Sequence, residues 1–153
     1  MEIKKDGTVS RLLRDVPLPR MFHAAQKFPD AHIEREEIQK AIFTEIARSG
    51  VVERVRPGMR IAVTAGSRGI RNVDEITRSV VAWVKSRGAV PFIVPAMGSH
   101  GGATAEGQKE LLAGYGITEQ TMGCEIRSSM ETVLLGRSEL DKPVYMDRNA
   151  FEA

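Results

Sequence analysis

Apolar positions along the chain follow two rhythms. MRIAVTA (59–65) and AVPFIVP (89–95) are short, nearly continuous apolar runs with the length and composition of buried strands, the first introduced by a Pro57-Gly58 turn. Between them Val73, Ile76, Val80 and Val84 recur at helical spacing, Asn72 and Glu75 stand at capping-box spacing, and Lys85, Arg87 and Gly88 close the segment. The pattern predicts a helix from about 73 to about 87. Strand, helix and strand in this length predict a βαβ unit with parallel strands and a right-handed crossover.

The same signals extend to both sides. Ile38, Ala41, Ile42 and Ile46 mark a helix that Asp30 could cap and that Arg48 and Gly50 end. Thr104 is placed to cap another helix running to about Tyr115, with Gly114 and Gly116 at its end. Glu131 to Gly136 and Pro143 to Asp147 read as short strands joined by a turn around Asp141, and Glu125 to Arg127 is a further candidate strand. Residues 1–29, marked by Pro17, Pro19 and Pro29, lack periodicity and read as a short strand or extended arm leading to a turn. The fold class expected is α/β: a Rossmann-like layered fold with a mainly parallel sheet formed by 51–153, on which the arm and helix of 1–50 pack. The closing AFEA carries no capping signal and reads as the start of an element, so the chain is expected to be the N-terminal part of a larger two-domain protein.

Composition narrows the class. A chain of 153 residues can form one core, burying roughly 68–70% of its unfolded surface. With 42% hydrophobic and 27% charged residues it has the balance of a soluble globular protein. A net charge of +2 is too small to point to nucleic acid. Cys124 is the only cysteine, which excludes an internal disulfide and a Cys-based structural zinc site. The polar N-terminus MEIKKDGTVS lacks the apolar core of a signal peptide, and the longest apolar run, Ala89 to Met97, falls far short of the ~20 residues that span a bilayer. A cytoplasmic location without membrane insertion is expected.

Candidate chemistry lies where the two strands end. Gly66-Ser67-Arg68-Gly69 follows the first and Gly98-Ser99-His100-Gly101 the second, one strand-helix unit later. Open α/β sheets bind ligands outside the carboxyl ends of their strands, and neighbouring parallel strands would bring both loops to one site. Glycines admit close backbone approach, each loop opens a helix whose N-terminus favours an anion, and Arg68 and Arg71 add bidentate donors. Neither loop reads G-x-G-x-x-G, and no P-loop is present. Imidazole, with a reference pKa of ~6.5, suits proton exchange near neutrality, which makes His100 the candidate catalytic residue. His23 and His32 lie away from strand ends and read as structural or solvated; Cys124 and Trp83 read as packed, Glu106 as a helix-dipole partner, and Arg54, Arg56 and Arg60 as a solvated edge.

At PAMGSHGGATAEGQ, preceded by a strand and GSRGIRN, the chain resembles the N-terminal domain of the nickel-pincer lactate racemase (LarA-like) family of 2-hydroxyacid racemases and epimerases. The resemblance covers about 50–153 and, more weakly, 10–50. It implies two α/β domains with the active site between them, and a nickel-containing pyridinium-derived mononucleotide tethered to a lysine. That cofactor accepts a hydride from C2 while a histidine removes the hydroxyl proton. His100 matches a family acid/base histidine, Arg71 the arginine after the first strand, and Ser67, Arg68, Gly98 and Ser99 would serve the cofactor phosphate. The family's acidic, threonine-containing stretch before that arginine and its Arg-Pro after the histidine are absent here, which points away from lactate to another 2-hydroxyacid or a sugar acid. The family's second acid/base histidine, attaching lysine and metal-binding histidine follow the matched region, so 1–153 alone is expected to lack racemase activity. The partners expected are a small 2-hydroxyacid or sugar acid, with neither nucleic acid nor membrane, and an uncovered interdomain face offers a route to homo-oligomers. Two other readings stand beside this one. A non-catalytic module could use the paired loops to hold a nucleotide or small carboxylate. A nicotinamide oxidoreductase lacks its fingerprint here and any obvious ribose-binding acid.

Overall fold

The computed structural model describes residues 7–17, 20–28 and 32–153. The chain divides into two compact units, Met1–His32 and Ile33–Ala153. In the first, α1 (Thr8–Leu12) is a single short helix whose Arg11 N–H donates to Gly7 O at 3.0 Å. The extended reading of this segment is thus corrected over 8–12, where a helix barely longer than one turn is too short for its periodicity to register. Residues 20–28 carry no regular structure. Asp30, the expected helix cap, lies outside the described residues.

The second unit is mixed α/β. A 3-10 turn at Arg35–Glu37 leads into α2 (Ile38–Arg48); β1 (Arg60–Ala65), α3 (Val73–Ser86) and β2 (Val90–Pro95) follow. Then come α4 (Ala105–Gly114), α5 (Glu119–Met122), β3 (Thr132–Arg137), β4 (Pro143–Asp147) and α6 (Arg148–Phe151). β1 and β2 pair in parallel, from Arg60↔Val90 to Ala65↔Pro95. Ile93 also bridges in parallel to Ile126, its N–H donating to Glu125 O and its carbonyl accepting from Arg127 N, both at 2.8 Å. The candidate strand at 125–127 is therefore a one-rung extension of the sheet. The Glu119 carboxylate fixes it by accepting from Ile126 N at 3.1 Å, and that bond, helped by Lys109, holds its pKa below the ordinary value.

Two apolar clusters hold the sheet to its helices. Ala65 and Ile93 pack with Val81 of α3, Leu112 of α4, and Ile117, Met122 and Ile126. Trp83, Val84, Val55 and Ala89 form the second cluster, covered by Phe43 and Ile46 of α2 and by Ile61. Burial of each of the valine, leucine, isoleucine and methionine side chains among them contributes roughly 1.5–3 kcal/mol. α3, the best-patterned segment of the sequence, supplies residues to both clusters.

The sheet is smaller and more divided than a mainly parallel one. Among the described residues it comprises the β1–β2 pair and a separate antiparallel hairpin, β3–β4, with a register break between Leu134 and Gly136. The turn joining β3 to β4 holds Asp141 at φ 57°, and a connection that short permits only antiparallel pairing. α6 also has a cap that the sequence reading passed over: Asp147 accepts from Ala150 N at 3.1 Å.

The capping box expected at α3 does not form. Asn72 takes a left-handed conformation without capping through its side chain. Its Oδ1 instead accepts from Arg35 Nη1 at 3.2 Å, and the same guanidinium forms a two-pronged pair with Asp74. Arg35 holds the Asp74 carboxyl below the ordinary aspartate value. A carboxyl so depressed stabilises the fold above its unfolded pKa of about 3.9 and loses that contribution as pH falls through the folded value. Arg35→Met is therefore expected to lower the urea midpoint at neutral pH, with the gap to wild type closing in acid. A pH-independent gap would contradict this account.

Candidate functional site

The loops after β1 and β2 emerge side by side, because the ladder continues past the strands: Ala96 N donates to Ala65 O at 2.8 Å. Ser67 and His100 then meet, Ser67 Oγ and His100 Nδ1 sharing a hydrogen bond of 2.6 Å. Among the described residues no hydrogen bond engages His100 Nε2. The serine is held from behind by the residue that caps α4 at its C-terminus, since Tyr115 Oη donates to Ser67 O at 2.8 Å. The second loop is held by the same helix: Gln108, only 4% exposed, donates from Nε2 to Gly98 O at 2.9 Å.

Two glycines set the distance between that loop and α4. A Cβ on Gly107 would stand 2.0 Å from Gly101 O, and one on Gly101, whose φ is +64°, would stand 2.5 Å from Gly107 C. The two backbones touch where side chains cannot fit. Thr104 completes the junction as predicted, its Oγ1 accepting from Gly107 N at 3.0 Å to cap α4.

Together the loops line an open cleft of about 520 Å³ whose walls include Ser67, Arg68, Gly98, Ser99 and His100. Five of the six candidate site residues thus share one cavity. Arg71 is exposed and does not line it. Ile70 and Met97 do, although their types gave no chemical signal.

Asp74 and Glu75 fill the first turn of α3, and a 3-10 turn at Gly101–Ala103 separates His100 from α4. An anion in the cleft would therefore meet loop amides, the Ser67 and Ser99 hydroxyls, Arg68 and His100. His23 and His32 are exposed, and Trp83 is in the core. Cys124 is half-buried against the first cluster, and burial raises its thiol pKa. Arg54, Arg56 and Arg60 are exposed, as is Glu106 in the first turn of α4.

Serine hydroxyls, an arginine and glycine-loop amides suit a phosphate or carboxylate. They do not suit a metal: among the described residues no three His, Cys, Asp or Glu side chains are grouped to hold one, and no lysine lines the cleft. No helix among the described residues is long and apolar enough to cross a membrane. Comparisons with protein-family models, with curated proteins and with solved structures return no match to this chain.

Proposed function

We propose that the cleft binds the carboxylate of a small 2-hydroxyacid and that His100 exchanges the proton of its hydroxyl. The chain would be one Rossmann-like domain of a racemase or epimerase of the LarA-like kind. The observation that carries this reading is the 2.6 Å contact between Ser67 and His100. If Nδ1–H donates to Ser67 Oγ, Nε2 is left as a free base, and the serine fixes tautomer and ring orientation together. Arg68 and the loop amides would orient the carboxylate so that the adjoining hydroxyl meets His100.

A pincer mononucleotide, when bound, supplies the acceptor for the C2 hydride. Its phosphate would compete with the substrate carboxylate for Arg68 and the loop amides, and the cleft suits neither its nickel nor its attachment to lysine. The residues present here bind, orient and move one proton. The Gly101–Gly107 contact accounts for part of the glycine content of the second loop by packing alone.

An amide-shift titration of the chain with L-lactate and with inorganic phosphate tests the site. Shifts concentrated at 66–70 and 96–100 are expected with both, weakened by Arg68→Ala. Absence of response to either anion would overturn the reading.

A further inference from the structure

A cavity of about 330 Å³ lies at the other end of the sheet and shares no lining residue with the His100 cleft. Arg60 and Val90, the first residues of β1 and β2, line it, which sets it a strand's length, roughly 16 Å, from the loops after Ala65 and Pro95. The register puts Arg60, Val90 and Phe92 on one face, and Arg127 joins them because its neighbour Ile126 pairs with Ile93 on the opposite face. Arg127 stands over the Phe92 ring, 4.4 Å from its centroid, and its Nε and Nη2 meet Glu125 Oε2 at 2.8 and 2.7 Å. The guanidinium is thereby held in one orientation, while 35% of the side-chain surface stays exposed. Glu125 is the one carboxylate on the wall, and Arg127 takes it. Two cations are left over. Lys85 Nζ donates to Gly123 O at 2.5 Å and has no carboxylate partner, and Arg60 has neither a hydrogen bond nor an ion pair among the described residues. Ala89, Pro91 and Cys124 supply apolar wall beside them.

We infer that this cavity is a second ligand site, for a phosphate monoester carried on a planar aromatic body. Such an ester brings a charge of about −1.5 to −2 near neutrality, which matches the two cations left without a counter-charge. The clamped guanidinium, with one ring already beneath it, offers a flat cationic surface to another. Free phosphate has the charge without the body. It would meet two exposed cations, whose pull water and salt weaken, and would leave the apolar wall bare.

Amide-shift titration of the full chain with phenyl phosphate, phenol and inorganic phosphate tests the site, wild type against Arg60→Gln and Lys85→Gln. Both substitutions change an exposed side chain and should leave the fold intact. Phenyl phosphate is expected to shift residues 60, 85, 90 and 123–127, and to do so at concentrations about tenfold below those that phenol or inorganic phosphate would need. Each substitution is expected to weaken phenyl phosphate there by about three- to tenfold. Inorganic phosphate acting on these residues as tightly as phenyl phosphate would reduce the site to a surface cation pair and overturn the inference. Silence of these residues toward phenyl phosphate, or an affinity untouched by both substitutions, would overturn it too. Shifts at 66–70 and 96–100 report the His100 cleft separately, so failure of either site leaves the other standing.

Discussion

Gly107→Ala is expected to destabilise the protein by about 2–4 kcal/mol, whereas Gly114→Ala, in the same helix, is expected to stabilise it by a few tenths to about 1 kcal/mol. Helix propensity favours alanine at both positions, so the two substitutions separate propensity from packing. At Gly107 the new methyl would stand 2.0 Å from Gly101 O and 2.9 Å from Thr104 Oγ1, a backbone atom and the helix cap. Neither can move without shifting the His100 loop or undoing the start of α4. At Gly114 the methyl meets nothing within 4 Å. Urea denaturation of both variants reads the difference directly. A stabilised Gly107→Ala would mean that the loop and helix are not in contact. The variant should also shift the amides of 98–101, because the same contact sets where His100 stands.

The second large effect is expected at His100. On the proposed reading, in a protein that joins this chain to a domain supplying the rest of the racemase site, His100→Gln should lower turnover by about 10²- to 10⁴-fold, the usual range for loss of a general acid/base, with little change in ligand affinity. Ser67→Ala should lower it less, because Ser67 is a positioning residue: its removal frees the ring to choose its tautomer and leaves the base in place. The two variants therefore differ in the histidine NMR signature as well as in rate. Equal losses of affinity and no selective loss of turnover in His100→Gln would assign the residue to loop structure and favour the binding module.

The elements that position this site were legible because their signals are local. The apolar runs that became β1 and β2, the amphipathic face of α3 and the Thr104 cap each lie within a few residues of the structure they specify. The repeated Gly-Ser-basic-Gly loops point to one place, and the parallel register brings both to one cleft. What the sequence did not show depends on partners distant along the chain. Asn72 was read as a cap because its own neighbourhood allows one, yet Arg35, on a different element, takes its side chain. Tyr115 and Gln108 carry no motif, and their support of Ser67 and Gly98 follows only once α4 lies behind both loops. The glycines at 101 and 107 looked like ligand-loop and helix residues, whereas their strictest constraint is mutual contact. Arg71, expected at the site from its place after the first strand, does not line the cleft.

The central claim is that Ser67 fixes His100 with Nε2 as the free base. The chain has only three histidines, His23, His32 and His100, so a long-range ¹H–¹⁵N spectrum of the imidazoles can be assigned with single substitutions. The account predicts that neutral His100 carries its proton on Nδ1 and that Ser67→Ala removes this preference. A neutral His100 protonated on Nε2, with the Ser67 hydroxyl donating to Nδ1, would contradict it, because the nitrogen left to meet a substrate hydroxyl would then hold a proton.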